Sequence, residues 1–351
     1  MRYSIIMPCR NEVQAIGTVL SSLLVQVRQL GDGEILVADG ASTDGTLVLV
    51  DALAAHAPEV RLVDNPRQIA STGLNAALAV AQGGVILRCD AHTTYAPDYV
   101  AQCLAVLAET DADNVGGPWV AVGQGWLGRA IAAAHQSPWA CGGARSHDPT
   151  YEGWVDSVYL GCWHRETLVQ LGGFDEALVR NQDDELNLRL ARAGGRLWQS
   201  PRIRSWYTPR AALRALWRQY FQYGFWKVAV LRKHRRPAAL RHLVPAAWLS
   251  LLAGLALLGL LWTPAWWVLL ALVGLYSGGL LIAAVLTARH AGWDLLPLLP
   301  LCMACIHLAY GSGFLVGLIA VTRGAAGGAR PSPAPDIAAT PPMPTAPDST
   351  P

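Results

Sequence analysis

The chain has 351 residues and a formal net charge of +2; 52% of its residues are hydrophobic and only 15% are charged, against about 25% charged in an ordinary soluble domain. The deficit is local: Leu243 to Ala288 is a run of 46 residues without Asp, Glu, Lys or Arg, and Leu295 to Thr322 is a second charge-free run. A purely soluble protein is thereby excluded, while roughly the first 240 residues are long and polar enough for an ordinary globular core.

From the N-terminus, Tyr3 to Met7 is a short apolar run, and polar Cys9, Arg10, Asn11 and Glu12 follow too soon for a signal peptide. Val13 to Leu30 carries apolar residues at helical spacing, and Glu34 to Ala38 is a second short apolar run. Further strands are expected at Val60 to Val63 and Val85 to Arg88, with a helix over Thr72 to Ala81. Alternating strands and helices imply an α/β fold with a mostly parallel sheet covered by helices on both faces. Ligands then bind beyond the C-terminal ends of the strands. The polar clusters Pro8 to Glu12, Asp39 to Thr46 and Asp90 to His92 fall at such ends.

Neither GxxxxGK[ST] nor a GxGxxG after the first strand is present, so a P-loop and a dinucleotide fingerprint are both excluded. Asp39, between an apolar strand and Gly40, is placed to accept hydrogen bonds from a base or ribose. Asp44, Gly45 and Thr46 read equally as a turn and helix cap. Asp90 and His92 stand at i and i+2; in extended backbone both side chains point one way. Such a pair can hold Mg²⁺ or Mn²⁺ beside a diphosphate, or it can be a satisfied loop pair. The loop from Trp119 to Trp154, rich in Gly, Ala and Trp, is expected to help shape the pocket.

Downstream, Gly172 to Glu176 forms a turn that would wall an acceptor site. Asn181 to Leu190 carries three adjacent acids, Asp183, Asp184 and Glu185, running into an apolar-periodic helix. One of these carboxylates can take a proton from an acceptor hydroxyl, or Asp183 or Asp184 can simply cap the helix. The aromatics Trp217, Tyr220, Phe221, Tyr223, Phe225 and Trp226 suit an amphipathic helix at a membrane surface, over about 210–230.

Residues 231–242 read as a basic juxtamembrane linker. Three membrane helices are expected at 243–262, 265–288 and 295–322, the last interrupted by Pro297, Pro300, His307, Gly311 and Gly313. Two spans with a re-entrant third segment is the alternative. Arg232, Lys233, Arg235, Arg236 and Arg241 before the first span and Arg289 after the second mark the cytosolic side. Three spans would put the C-terminus outside, against which Arg323 and Arg330 weigh. Eight prolines between Pro331 and Pro351 make 323–351 a Pro-rich tail expected to be disordered. The seven cysteines form no framework and suit a reducing compartment; Cys302 and Cys305 read as helix packing rather than a metal pair.

Taken together, MPCRNE at 7–12, VADGASTDGT at 37–46, RCDAHTTY at 88–95, GGFDEAL at 172–178, NQDDELNLRLARAGG at 181–195 and QYFQYGFWK at 219–227 resemble the inverting family 2 glycosyltransferases. That family has the nucleotide-diphospho-sugar-binding GT-A fold, and the resemblance is closest to its membrane-bound succinoglycan-biosynthesis ExoA-like members. It implies a cytosolic GT-A domain over 1–230 and a multi-pass protein of the cytoplasmic membrane. It further implies that Pro8, Asn11, Glu12, Asp39 and Asp44 line the donor pocket, and that Asp90 with His92 replaces the family's DxD motif in holding Mn²⁺ or Mg²⁺. An imidazole must be neutral to ligate, which makes such a site pH-sensitive. Asp183 aligns with the usual base, but Gln182 stands where the family's pair has Glu, and Asp184 stays open as the base. Gln219 matches the QxxRW-type helix of processive relatives; Gln222 stands in place of its Arg, so that Arg218 or Lys227 would supply the donor-side charge.

The implied reaction moves a hexose from a nucleotide-diphospho-sugar, UDP-sugars first, to a hydroxyl of a lipid-linked saccharide or other membrane acceptor, in polysaccharide or glycolipid assembly. The implied partners are donor, acceptor and membrane lipids, with a homo-oligomer or assembly proteins left open and no nucleic acid. A sugar-phosphate or nucleotidyl transferase, or an inactive nucleotide-sugar-binding scaffold, is the alternative.

Overall fold

The computed structural model describes residues 1–209, 212–235 and 239–322; the expected tail at 323–351, with Arg323 and Arg330, and Arg236 in the basic stretch lie outside them. The chain forms two compact units. Among the described residues, the first contains Met1–Val120 and Asp148–Thr208; the second contains Ala121–His147 and the chain from Pro209 to Thr322. Ala121–His147 and the helix beginning at Leu213 group with the C-terminal helices.

The strands are β1 (Tyr3–Cys9), β2 (Gly33–Asp39), β3 (Val60–Asp64), β4 (Val85–Arg88), β5 (Thr93–Tyr95), β6 (Asn114–Gly117), β7 (Val120–Ala121), β8 (Gly153–Val155), β9 (Tyr159–His164), β10 (Leu197–Gln199) and β11 (Ser205–Tyr207), all in the first unit except the second residue of β7. The helices of the first unit are α1 (Ile16–Leu30), α2 (Thr46–Ala54), α3 (Ala70–Val80), α4 (Tyr99–Glu109), α7 (Arg165–Gln170) and α8 (Gln182–Arg192), with α5 (Gly125–Gln136) and α6 (Pro138–Cys141) belonging to the second. The large sheet has the order β3-β2-β1-β4-β9-β6-β10-β8. β1, β2, β3 and β4 are mutually parallel, whereas β9 is antiparallel to both β4 and β6, so the sheet is mixed.

The period-2 alternation of a strand distributes the apolar runs between two cores. Ile5, Met7, Ile35, Val37 and Leu87 pack with Ile16, Leu20 and Leu23 of α1 and with Val100 and Val106 of α4. Ile6, Leu36, Ala38 and Ile86 pack with Leu74 of α3, Leu168 of α7 and Leu186 and Leu190 of α8. The chain runs outward from β1 to β3 and resumes at β4 on the other side of β1. The crevice at that reversal, beyond Cys9, Asp39 and Arg88, is where an open α/β sheet binds ligands.

The second unit comprises α5 (Gly125–Gln136), α6 (Pro138–Cys141), α9 (Leu213–His234), α10 (Val244–Gly259), α11 (Pro264–Ala291) and α12 (Leu299–Thr322). Leu240–Gly259, Pro264–Ala291 and Leu299–Ala320 are long and apolar enough to cross a membrane. The segment expected to shape the pocket is largely in this unit: Ala130, Ile131 and Ala134 of α5 pack with Ala283, Ala284 and Ala288 of α11 and with Cys302, Met303 and Ile306 of α12. Small residues on both sides permit close helix approach.

Candidate functional site

The β1 and β2 ends are built around one another. Asn11 takes a left-handed backbone, φ 55°; its N–H donates to Ser42 Oγ at 2.9 Å and its side-chain oxygen accepts from Thr43 N–H at 2.8 Å. Asp39 is buried and accepts from Ser42 N–H at 3.0 Å and Ser42 Oγ at 2.5 Å. Asp44 accepts from Thr46 N–H, Thr46 Oγ1 and Val13 N–H at 3.0, 2.5 and 3.1 Å. What burial it has pushes the Asp44 carboxyl up, but those hydrogen bonds outweigh it and hold the group below its ordinary value. Asp44 is thus used as a cap at the entrance to α2. Pro8 pairs with Ala38 in the sheet.

The β4 end is different. Arg88 closes an apolar strand and is 4% exposed. Its Nε and Nη2 donate to Asp90 Oδ1 at 3.2 and 3.1 Å, and its Nη1 forms an ion pair with Asp183 Oδ1. A buried guanidinium is costly unless paired, and the two carboxylates meet that need. Tyr95 Oη accepts from Asp90 N–H at 2.6 Å and donates to the Asp90 carbonyl at 3.0 Å. Burial raises the Tyr95 pKa well above the usual phenol value, so the hydroxyl keeps its proton.

Asp90 to His92 is a turn and not an extended segment, with Thr93 N–H approaching the Asp90 carbonyl at 3.4 Å. This corrects the alignment expected from strand spacing. Asp90 turns to Arg88, whereas His92 Nδ1 lies 3.0 Å from Glu12 Oε1 and its ring meets Tyr207 edge-on at 6.2 Å. Among the described residues no three His, Cys, Asp or Glu form a group that could hold a metal. The donor set fits a divalent cation only as an open site, in which a carboxylate and an imidazole supply few positions and phosphate oxygens and water fill the rest.

Asp183 and Asp184 occupy the first turn of α8, where the helix dipole favours negative charge. The Asp183 side chain is 37% exposed, so it reaches solvent while Arg88 fixes one oxygen. Glu185 is buried and accepts from Arg189 Nη2 at 2.7 Å. Arg189 also donates to the carbonyls of Leu171 and Gly173, which anchors the Gly172 to Glu176 turn. Glu185 is thereby committed to structure. Asn187 ties α8 to β6 through Asn114 Nδ2 at 3.0 Å.

Asn11, Glu12, Asp39, Asp44, Asp90, His92, Asp183 and Asp184 therefore all belong to the first unit, and Asp90 and Asp183 share one partner. Gln219 and Lys227 lie on α9 in the second unit. There Gln219 Nε2 donates to Tyr223 Oη at 2.9 Å, and Lys227 is buried. Sequence reasoning gave no role to Arg88, Ser42 or Tyr95. The available signal for Arg88 was a charge ending an otherwise apolar strand.

The sequence profile described as "Glycosyl transferase family 2" matches residues 4–155. The chain is 32% identical over 312 residues to the succinoglycan biosynthesis protein ExoA of Rhizobium meliloti (strain 1021), covering 88% of this chain and 93% of that one. It is 23% identical over 325 residues to a Methanococcus voltae dolichyl N-acetyl-alpha-D-glucosaminyl phosphate 3-beta-D-2,3-diacetamido-2,3-dideoxy-beta-D-glucuronosyltransferase, covering 90% of this chain and 97% of that one. Its fold is similar to the mannosyltransferase PcManGT from Pyrobaculum calidifontis in complex with GDP-Man and Mn²⁺, with a TM-score of 0.56 and 22% identity, covering 90% of this chain and 87% of that one.

Proposed function

The chain belongs to the family 2 glycosyltransferases, and from that premise we propose that it is an inverting, ExoA-like enzyme. It transfers a hexose from a nucleotide-diphospho-sugar to a hydroxyl of a lipid-linked saccharide on the cytosolic face of a membrane. The observation that carries this reading is the bracket of Asp90 and Asp183 on one buried arginine, at the sheet's topological reversal.

In the proposed mechanism Asp183 takes the proton of the acceptor hydroxyl as the acceptor oxygen bonds to the anomeric carbon. The bond from that carbon to the donor's phosphate oxygen breaks, and its electron pair leaves with the nucleoside diphosphate. One displacement inverts the configuration. Arg88 orients Asp183 and keeps its second oxygen available. Asp90 and His92 would hold Mn²⁺ or Mg²⁺, which when bound neutralises charge on the departing diphosphate; the Mn²⁺ in the PcManGT complex supports this choice. Glu12 orients the His92 imidazole. Pro8, Asn11, Asp39 and the loop capped by Asp44 form the nucleoside side. Arg232, Lys233, Arg235 and Arg241 before α10, with Arg289 late in α11, support the cytosolic placement.

The test is turnover by the full-length protein in membranes, supplied with UDP-sugars, GDP-mannose and polyprenyl-diphosphate-linked saccharides, with divalent metal added or chelated. The proposal expects free nucleoside diphosphate in step with acceptor glycosylation. Transfer of phosphate to the acceptor, or donor binding with no sugar consumed, would reject it.

A further inference from the structure

The three long apolar helices are not equivalent. Only 11% of the membrane-length apolar stretch is buried in α10 and in α11, whereas 50% of that in α12 is. Much of this cover is α9. Cys305 Sγ donates to the Leu213 carbonyl at 3.7 Å, Gly313 packs on the Phe221 backbone, and Gly317 packs on that of Phe225. All three pairs are 92 residues apart, so α9 and α12 run parallel in constant register. Gly224 lies against the Tyr310 carbonyl in the same seam. A side chain at Gly224 or Gly313 would overlap a backbone oxygen, which is why the approach needs glycine there.

α9 is far from apolar: it carries Arg214, Arg218, Gln219, Gln222, Lys227, Arg232 and Lys233. α12 is about 36 Å long at 1.5 Å per residue, with Tyr310 near its middle. The register sets Arg218 beside Tyr310 and Lys227 beside Ile319. Were α12 to cross a bilayer, α9 would stand beside it and carry Arg218 to the hydrocarbon centre, the depth where charge is least tolerated.

α12 also meets the α10–α11 hairpin away from its tip. Gly311 lies on the Pro245 carbonyl and Leu249, and Phe314 packs with Ala246, in the first turns of α10. Leu301 and Ile319 of α12 are exposed, and Leu308 and Leu315 partly so, along one helical stripe. The buried side is Cys302, Ile306, Ala309, Gly313 and Gly317. With α9 supplying the charged face and α12 the apolar one, the pair together has the two-sided character of an interface-embedded element.

We infer that α9 and α12 form a pair lying in the bilayer interface, with the stripe from Leu301 to Ile319 against the lipid acyl boundary, and that α10 and α11 alone cross. The partner of this surface is the lipid bilayer itself. The C-terminal end of α12 then lies on the same side as the N-terminal end of α10, in contrast to the three-span expectation. The inference rests on the second unit alone and does not depend on the catalytic reading.

The test places green fluorescent protein or bacterial alkaline phosphatase after Pro351 of the full chain in a bacterial inner membrane, with phosphatase inserted at Thr263 as the reference for the hairpin tip. The expected result is a fluorescent fusion and inactive phosphatase at Pro351, with active phosphatase at Thr263. Active phosphatase at Pro351 would establish a third crossing and overturn the inference; inactive phosphatase at Thr263 would overturn the hairpin.

Discussion

Asp39 and Asp44 sit in a loop that uses them: five hydrogen bonds from Ser42, Thr46 and Val13, three of them from backbone N–H groups, fix both carboxylates. Asp90 and Asp183 are held by a side chain, Arg88, and both keep some exposure. Backbone donors cannot leave without remaking the loop, whereas a guanidinium on a flexible stem can exchange one anion for another. The first region is suited to be a rigid wall, and the second to be the place where charge changes hands.

The largest effect is expected at Asp183. Asp183→Asn is expected to lower transfer by about 100-fold or more, the usual scale for a general base, with donor binding by calorimetry retained and Asp184→Asn much milder. The reverse ranking would move the base to Asp184. Next, Arg88→Met leaves two carboxylates without their cation and should cost about 3 kcal/mol in thermal unfolding in detergent, the lower end for a broken buried pair because water reaches both acids. Arg88→Lys should recover part of that stability but not the two-sided grip, so its transfer stays low. An unchanged unfolding temperature in Arg88→Met would remove the bracket from the account.

Glu185→Gln sharpens the contrast within α8, since it is expected to cost about 2 kcal/mol through the weakened Arg189 contact while sparing the chemical step. The smallest effect is at Asp44. Asp44→Ala loses a cap and should cost about 1 kcal/mol near neutral pH. Because the folded-state pKa of Asp44 is lowered, its contribution is complete above the unfolded value of about 3.9 and is lost as pH falls through the folded value. The gap between wild type and Asp44→Ala should therefore close on acidification; a constant gap would show that the charge is irrelevant.

The strands that carry the site were legible because their apolar runs are short, buried on both faces and followed by polar clusters: Tyr3 to Met7, Glu34 to Ala38 and Val85 to Arg88 all lie within observed strands. β9 was not, because Gly161, at φ 114°, interrupts its pattern and its antiparallel partners β4 and β6 are remote in sequence. α5 is not legible as a helix in the sequence, since its Ala-rich face has meaning only against Ala283, Ala284 and Ala288 of α11. At the site, residue identities were readable but their pairing was not. The reach of Arg88 to Asp183 depends on a contact between segments 95 residues apart, and Asp90 and His92 take different partners, Arg88 and Glu12.

A single displacement with Asp183 as base fixes the anomeric configuration of the product. Purified full-length protein in membranes, given an α-linked nucleotide-diphospho-sugar and a lipid-linked saccharide, should yield a β-linked product by NMR. An α-linked product would require a second displacement or a different transition state, and would contradict the assignment.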